Sequence, residues 1–171
     1  MVHKFYILRH GETFATKNNT GYGWRVFSAS ILDEGKVVIE REGEFLADIS
    51  FDICLSSPVK RCRQTAAIIS KHIDTEILFD KRLSEFWLET FEHFRKRIWS
   101  VISELDAHDQ YKTVLIITHG AGIAALTHML EKGTFLIPHM TDYPKPGIMT
   151  VIERGNVARL IDFNEQKEII D

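Results

Sequence analysis

At 171 residues and 19.7 kDa the chain is the size of one domain, and 44% hydrophobic against 26% charged residues exclude an intrinsically disordered protein. The 21 Lys and Arg against 24 Asp and Glu leave a net charge of −3, which offers no electrostatic footprint for nucleic acid or for an anionic membrane. Cys54 and Cys62 are too few for a disulfide framework and wrongly spaced for a zinc ribbon, so they read as free thiols in a reducing cytoplasm. No apolar run approaches the roughly 18 residues of a membrane span. The apolar Met1–Leu8 stretch stops at Arg9 and His10 with no small-residue cleavage site after it, unlike a signal peptide. Residues 1–171 therefore read as a single domain with neither a nucleic acid nor a membrane as partner.

Taken in chain order, Val2–Leu8 reads as a first strand, because Phe5-Tyr6-Ile7-Leu8 is a continuous apolar run of strand length. Residues 11–30, rich in glycine and asparagine, read as a long loop. Leu32–Asp48 reads as a helix, with Gly35, Ile39, Gly43 and Leu46 on one face. Phe51–Leu55 is the next strand, and Ser57-Pro58 supplies a cap and a first-turn proline for a helix striped by Val59, Cys62, Ala66, Ile69 and Ile73. A short strand at Glu76–Phe79 precedes a helix through Phe91, Phe94, Ile98, Val101, Ile102 and Leu105, with Thr90 as its cap. Val114–Ile117 reads as a buried strand and Gly120–Leu130 as a helix. Past the glycine- and proline-punctuated stretch 133–147, Ile148–Ile152 and Val157–Phe163 form a hairpin around Arg154-Gly155-Asn156. Strands alternating with helices predict an α/β fold, a mostly parallel sheet with helices on both faces.

Functional residues of such sheets gather beyond the carboxyl ends of the strands. Two strands here end alike, in Arg9-His10-Gly11 and in Thr118-His119-Gly120, so adjacent strands would set two imidazoles face to face. Arg9 precedes the first, and Arg61 lies in the first turn of the helix opened by Ser57-Pro58. Guanidinium forks and helix N–H groups match the oxygens of a tetrahedral dianion. Their charge disfavours protonation of His10, leaving a ring nitrogen free to attack, and supplies the neutralisation a metal would otherwise bring.

Leu8-Arg9-His10-Gly11-Glu12-Thr13 resembles the signature of the histidine phosphatase superfamily, the phosphoglycerate-mutase-like proteins. The resemblance extends in family order to Ser56-Ser57-Pro58-Val59-Lys60-Arg61-Cys62-Arg63-Gln64-Thr65-Ala66, Leu83-Ser84-Glu85 and Thr118-His119-Gly120. The tail from Gly147 to Asn164 looks like the family's last hairpin. The resemblance implies a three-layer α/β/α sandwich and a cytoplasmic, metal-independent phosphatase without a cofactor, acting on a small phosphorylated substrate. His10 would be the nucleophile that becomes phosphohistidine, and Arg9, Arg61 and His119 would bind the phosphate, with His119 also part of the catalytic set. Glu85 would protonate the leaving alcohol and then activate water.

Two departures from the family pattern stand out. The asparagine that members often carry six positions after the nucleophile is Thr16 here, with Asn18 and Asn19 just beyond. Phe86-Trp87-Leu88-Glu89-Thr90 leads straight into a helix, which shortens the lid and leaves Glu89 as a rival to Glu85, although Glu85 is in phase with the family block. Thr16, Arg25 and His139 are candidates for the substrate rim, with Tyr22 and Trp24 beside Arg25. His3, His72, His93, His108 and His128 read as ordinary surface or helix residues. A phosphomutase of the same family, a protein-phosphohistidine phosphatase and a silent phospho-ligand binding module are the alternative functions.

Overall fold

Burial on both faces explains why the first strands read as unbroken apolar runs. The computed structural model describes residues 1–154, 156, 158–165 and 167–169, the last three by backbone alone. In β1 (Lys4–Arg9), Phe5 and Ile7 enter one hydrophobic core while Tyr6 and Leu8 enter another on the opposite face. β4 (Thr113–Thr118) does the same, with Val114 and Ile116 on the first side and Leu115 and Ile117 on the second. The sheet also contains β2 (Ile53–Ser56), β3 (Ile77–Phe79), β5 (Ile148–Glu153), β6 (Arg159–Asp162) and β7 (Lys167–Ile169), in the order β3-β2-β4-β1-β5-β6-β7. The pairings among β3, β2, β4 and β1 are parallel, and those from β1 through β5 and β6 to β7 are antiparallel. Five of the seven strands thus point the same way, as the sequence predicts. β7 is an addition to that reading, and Gly155 and Val157 of the expected hairpin lie outside the described residues.

Helices cover both faces. α2 (Asp33–Leu46) and α3 (Lys60–Ile69) pack together over one core, and α4 (Phe91–Ala107) and α5 (Gly120–Lys132) over the other. Gly35, costly to an isolated helix, is explained by close approach: a Cβ there would sit 2.9 Å from the backbone nitrogen of Glu12, in the loop that leaves β1. Thr90 caps α4 by accepting from the His93 N–H, as its position predicts. No helix among the described residues is long and apolar enough to cross a membrane.

Two local expectations are corrected. The loop at 11–30 contains a short helix, α1 (Phe14–Lys17), closed by a reciprocal Thr13–Thr16 capping box, and a 3₁₀ turn at Gly23–Arg25. α3 starts at Lys60, with Val59 as an extended N-cap, and not at Pro58. The Ser57 hydroxyl oxygen still accepts from the Val59 N–H at 3.3 Å, and it also lies 2.8 Å from His119 Nε2.

Register aligns the strand tips. Leu8 pairs with Ile117 and Arg9 with Thr118, and Ser56 of β2 also pairs with Ile117. Beyond these pairs the His10 N–H donates to Thr118 O at 3.0 Å, and the Ser57 N–H to Ile117 O at 2.9 Å. Residues 10, 57 and 119 therefore leave the sheet at one level.

Candidate active site

His10 and His119, each fully buried, lie with ring centroids 5.3 Å apart beyond the tips of β1 and β4. His10 Nδ1 is 2.9 Å from the Gly11 carbonyl. A carbonyl only accepts, so Nδ1 carries the proton and Nε2 presents its lone pair. Burial, then the charges of Arg61 and Arg9, hold the His10 pKa well below its ordinary value. The imidazole is thus neutral and its free nitrogen available at neutral pH. His119 is also driven well down, by burial and then by Arg61. Arg61 donates to its Nδ1 at 3.0 Å, which leaves the Nε2 proton for Ser57 Oγ. His119 is the N-cap residue of α5, whose first residues Gly120 and Ala121 line the cleft. A Cβ on Gly120 would lie 2.6 Å from the ring of Tyr143, so glycine lets that ring close down on the helix start.

Arg61 joins the parts. Fully buried, it donates through one terminal nitrogen to Glu85 Oε2 at 2.9 Å and to His119, and through the other to the Val26 carbonyl. Its guanidinium stacks 4.1 Å from the centre of the Tyr22 ring. Arg9 donates to Pro144 O at 3.1 Å and packs 4.8 Å from the Tyr143 ring. The buried Nε groups of both arginines have no partner among the described residues. Such unspent donors suit an anion. A cleft of about 570 Å³ opens here, lined by Arg9, Thr16, Tyr22, Glu85, Tyr143 and Lys145 among others.

Glu85 follows a 3₁₀ turn at Lys81–Leu83 that is tied to the sheet, since Thr118 Oγ1 donates to Leu83 O at 2.7 Å. Its carboxylate lies 3.5 Å from His119 Nδ1 and pairs with Arg61. Glu89 belongs to a different structure. It takes three hydrogen bonds from Arg97 and one contact with His93, while Arg97 also donates to Arg82 O and Glu85 O. Burial raises the Glu89 pKa, yet the bonds from Arg97 and His93 bring it below its ordinary value. Glu89 clamps the segment that presents Glu85. Glu85→Gln is therefore expected to lose about 10²–10⁴-fold in turnover. Glu89→Gln should stay within tenfold and unfold a few degrees earlier, a cost of ~1 kcal/mol. Turnover and thermal midpoints of the two variants check this, and the reverse order of activities contradicts it.

The rim candidates divide. Thr16 lines the cleft but spends its hydroxyl on the capping box with Thr13. Arg25 and Trp24 are exposed and stand off the lining, because the 3₁₀ turn rotates them outward, whereas Tyr22 turns in. His139 is also off the lining. It stacks on the buried His128 at 4.0 Å and accepts from Leu136 N–H, and His128 pairs with Asp142 instead of lying on the surface. Met140, Thr141 and Tyr143 from the same segment reach the cleft in its place. Neither Tyr143 in the cleft nor the Ser57 contact with His119 is marked in the sequence, since an aromatic among prolines carries no direction. Ligand atoms of His10, Glu85 and His119 lie within 4.8 Å of one another. A cation there would have to displace Arg61, which already bonds to two of the three.

The family model for the histidine phosphatase superfamily (branch 1) matches residues 5–88 and 86–162. The chain is 33% identical over 91 residues to the Arabidopsis thaliana "Probable 2-carboxy-D-arabinitol-1-phosphatase", a match covering 53% of this chain and only 19% of that protein. It is 25% identical over 150 residues to the Bacillus subtilis (strain 168) "Uncharacterized phosphatase PhoE", covering 74% and 77% of the two chains. In fold it is similar to an alpha-ribazole phosphatase from Shigella flexneri, with a TM-score of 0.75, 19% identity and 98% and 99% of the chains covered.

Proposed function

The chain belongs to the histidine phosphatase superfamily, and from that footing we propose that it hydrolyses small phosphomonoesters through a phosphohistidine on His10, with no metal taking part. The observation that carries this reading is the neutral, buried His10, its Nε2 lone pair fixed by the Gly11 carbonyl and surrounded by Arg9, Arg61 and His119. Nε2 attacks phosphorus in line as the bond to the ester oxygen breaks. The proton retained on Nδ1, held by Gly11 O, stabilises the cationic ring of the phosphohistidine. A phosphomonoester bound as its monoanion supplies the proton: Glu85, freed from Arg61, takes it and hands it to the leaving oxygen, then takes one from the water that attacks phosphorus, and phosphate departs. Substrate oxygens take over Arg61 N–H groups that bond to Glu85 and His119 in the free protein, which releases Glu85 toward the leaving group.

Hydrolysis is favoured over phosphoryl transfer to a second substrate by the segment after Glu85. Phe86 packs on the core and Arg97 holds Glu89, so the short stretch is tied to the body of the fold, and Leu88, 87% exposed at a positive φ of 50°, points into water with no part in covering the cleft. We read residues 1–171 as one domain, since both cores pack on one sheet. The cytoplasmic reading rests on Cys54 and Cys62, two buried free thiols.

The test is p-nitrophenol release from p-nitrophenyl phosphate in excess EDTA, for the wild type beside His10→Ala. Activity that survives EDTA and falls at least about 10³-fold in the variant is expected. An active His10→Ala protein overturns the mechanism, and a folded wild type that binds phosphate but turns over no phosphomonoester supports a binding module.

A further inference from the structure

The His10 Nδ1–H is spent on Gly11 O and the ring is neutral, so Nε2 has only a lone pair to offer. Tyr22 Oη lies 3.4 Å from that nitrogen, so the phenol is the donor. With its proton committed, Tyr22 Oη must accept at its 2.9 Å contact with Thr13 Oγ1, which therefore donates. Thr13 Oγ1 in turn accepts from the Thr16 N–H at 3.2 Å. Every donor in the chain Thr16, Thr13, Tyr22, His10 thus points toward the nucleophilic nitrogen, an arrangement in which each bond polarises the next. The capping box of α1 is what fixes its far end.

Resting on the nucleophilic role proposed for His10, we infer that Tyr22 is a further catalytic residue, the hydroxyl that orients the Nε2 lone pair and then donates to the phosphoryl group being transferred. When Nε2 bonds to phosphorus the phenol loses its acceptor, and the phosphoryl oxygens arrive beside it carrying the developing charge. A long bond in the free protein becomes a charge-assisted one in the transition state, which is the condition for a donor to accelerate the step. Burial, the largest influence, pushes the phenol above its ordinary pKa, so it keeps its proton at neutral pH. The ring has a separate task, since it stacks on Arg61 at 4.1 Å.

Tyr22→Phe and Tyr22→Leu separate the two tasks. The measurements are single-turnover formation of acid-labile phosphoenzyme from p-nitrophenyl phosphate and competitive inhibition by inorganic phosphate. Tyr22→Phe is expected to slow phosphoenzyme formation about 10²-fold with the phosphate inhibition constant within twofold of the wild type. Tyr22→Leu should be equally slow and should also bind phosphate more weakly, because the stack on Arg61 is gone. Wild-type rates in Tyr22→Phe with a defect confined to Tyr22→Leu overturn the proposal and leave Tyr22 as packing. A wild-type protein that turns over without a phosphoenzyme overturns the nucleophilic reading itself, an outcome the variants cannot mimic.

Discussion

Arg61→Lys is expected to reduce kcat/KM for p-nitrophenyl phosphate about 10³-fold while the protein stays folded. The substitution keeps a positive charge, so the size of the loss measures geometry. A guanidinium at this position has a terminal nitrogen shared between Glu85 and His119, a second on the Val26 carbonyl, and a flat face against the Tyr22 ring. An ammonium presents one compact centre and no face, so it cannot hold all four partners. Removing a single preorganised donor to a developing oxyanion costs about 10²–10³-fold, and here Glu85, the proposed acid, and His119 lose their alignment with it. Steady-state kinetics, with circular dichroism to confirm folding, checks the expectation. A loss smaller than about tenfold would mean that Arg61 is a structural strut and that Arg9 alone carries the phosphate.

The position of these groups was largely legible in the sequence because it follows from strand ends. Parallel strands buried on both sides are conspicuous as apolar runs, and the residues just past Leu8 and Ile117 are bound to emerge together once those strands pair in register. Neither the direction of a loop side chain nor the engagement of a hydroxyl has a comparable signature. Tyr22, Trp24 and Arg25 are nearly adjacent, yet a 3₁₀ turn sends the first inward and the other two into water. Ser57 accepts from the Val59 N–H at 3.3 Å as its place suggests, but its nearer partner, at 2.8 Å, is a histidine 62 positions away. His139 sits in the segment that lines the rim and turns instead to stack on His128, a contact no local pattern announces. Glu85 and Glu89, four positions apart, are separated in role by Arg97, an α4 residue that gathers one carboxylate and leaves the other for the imidazoles.

Glu42→Gln is expected to be more stable than the wild type at pH 8 by about 3 kcal/mol more than at pH 5. Glu42 is 1% exposed on α2, both of its oxygens lack a partner among the described residues, and burial pushes its pKa to about 8 from the ordinary 4.5. The sign follows from linkage. Between those two values the native state holds a proton that the unfolded chain has released, so stability is fully present below pH 4.5 and is lost as pH rises through 8. His10 and His119 act the other way, since both are pushed well down by burial and weaken the fold as pH falls through the ordinary histidine range. Their contribution is common to both proteins and cancels in the difference, which isolates residue 42. Urea unfolding of the two proteins across pH 5–8 gives the comparison directly. A constant difference across that range would mean that the Glu42 carboxylate is ionised and compensated in the native protein. Glu42→Met should go further at every pH, because the amide of Gln still leaves polar atoms buried without partners and a thioether does not.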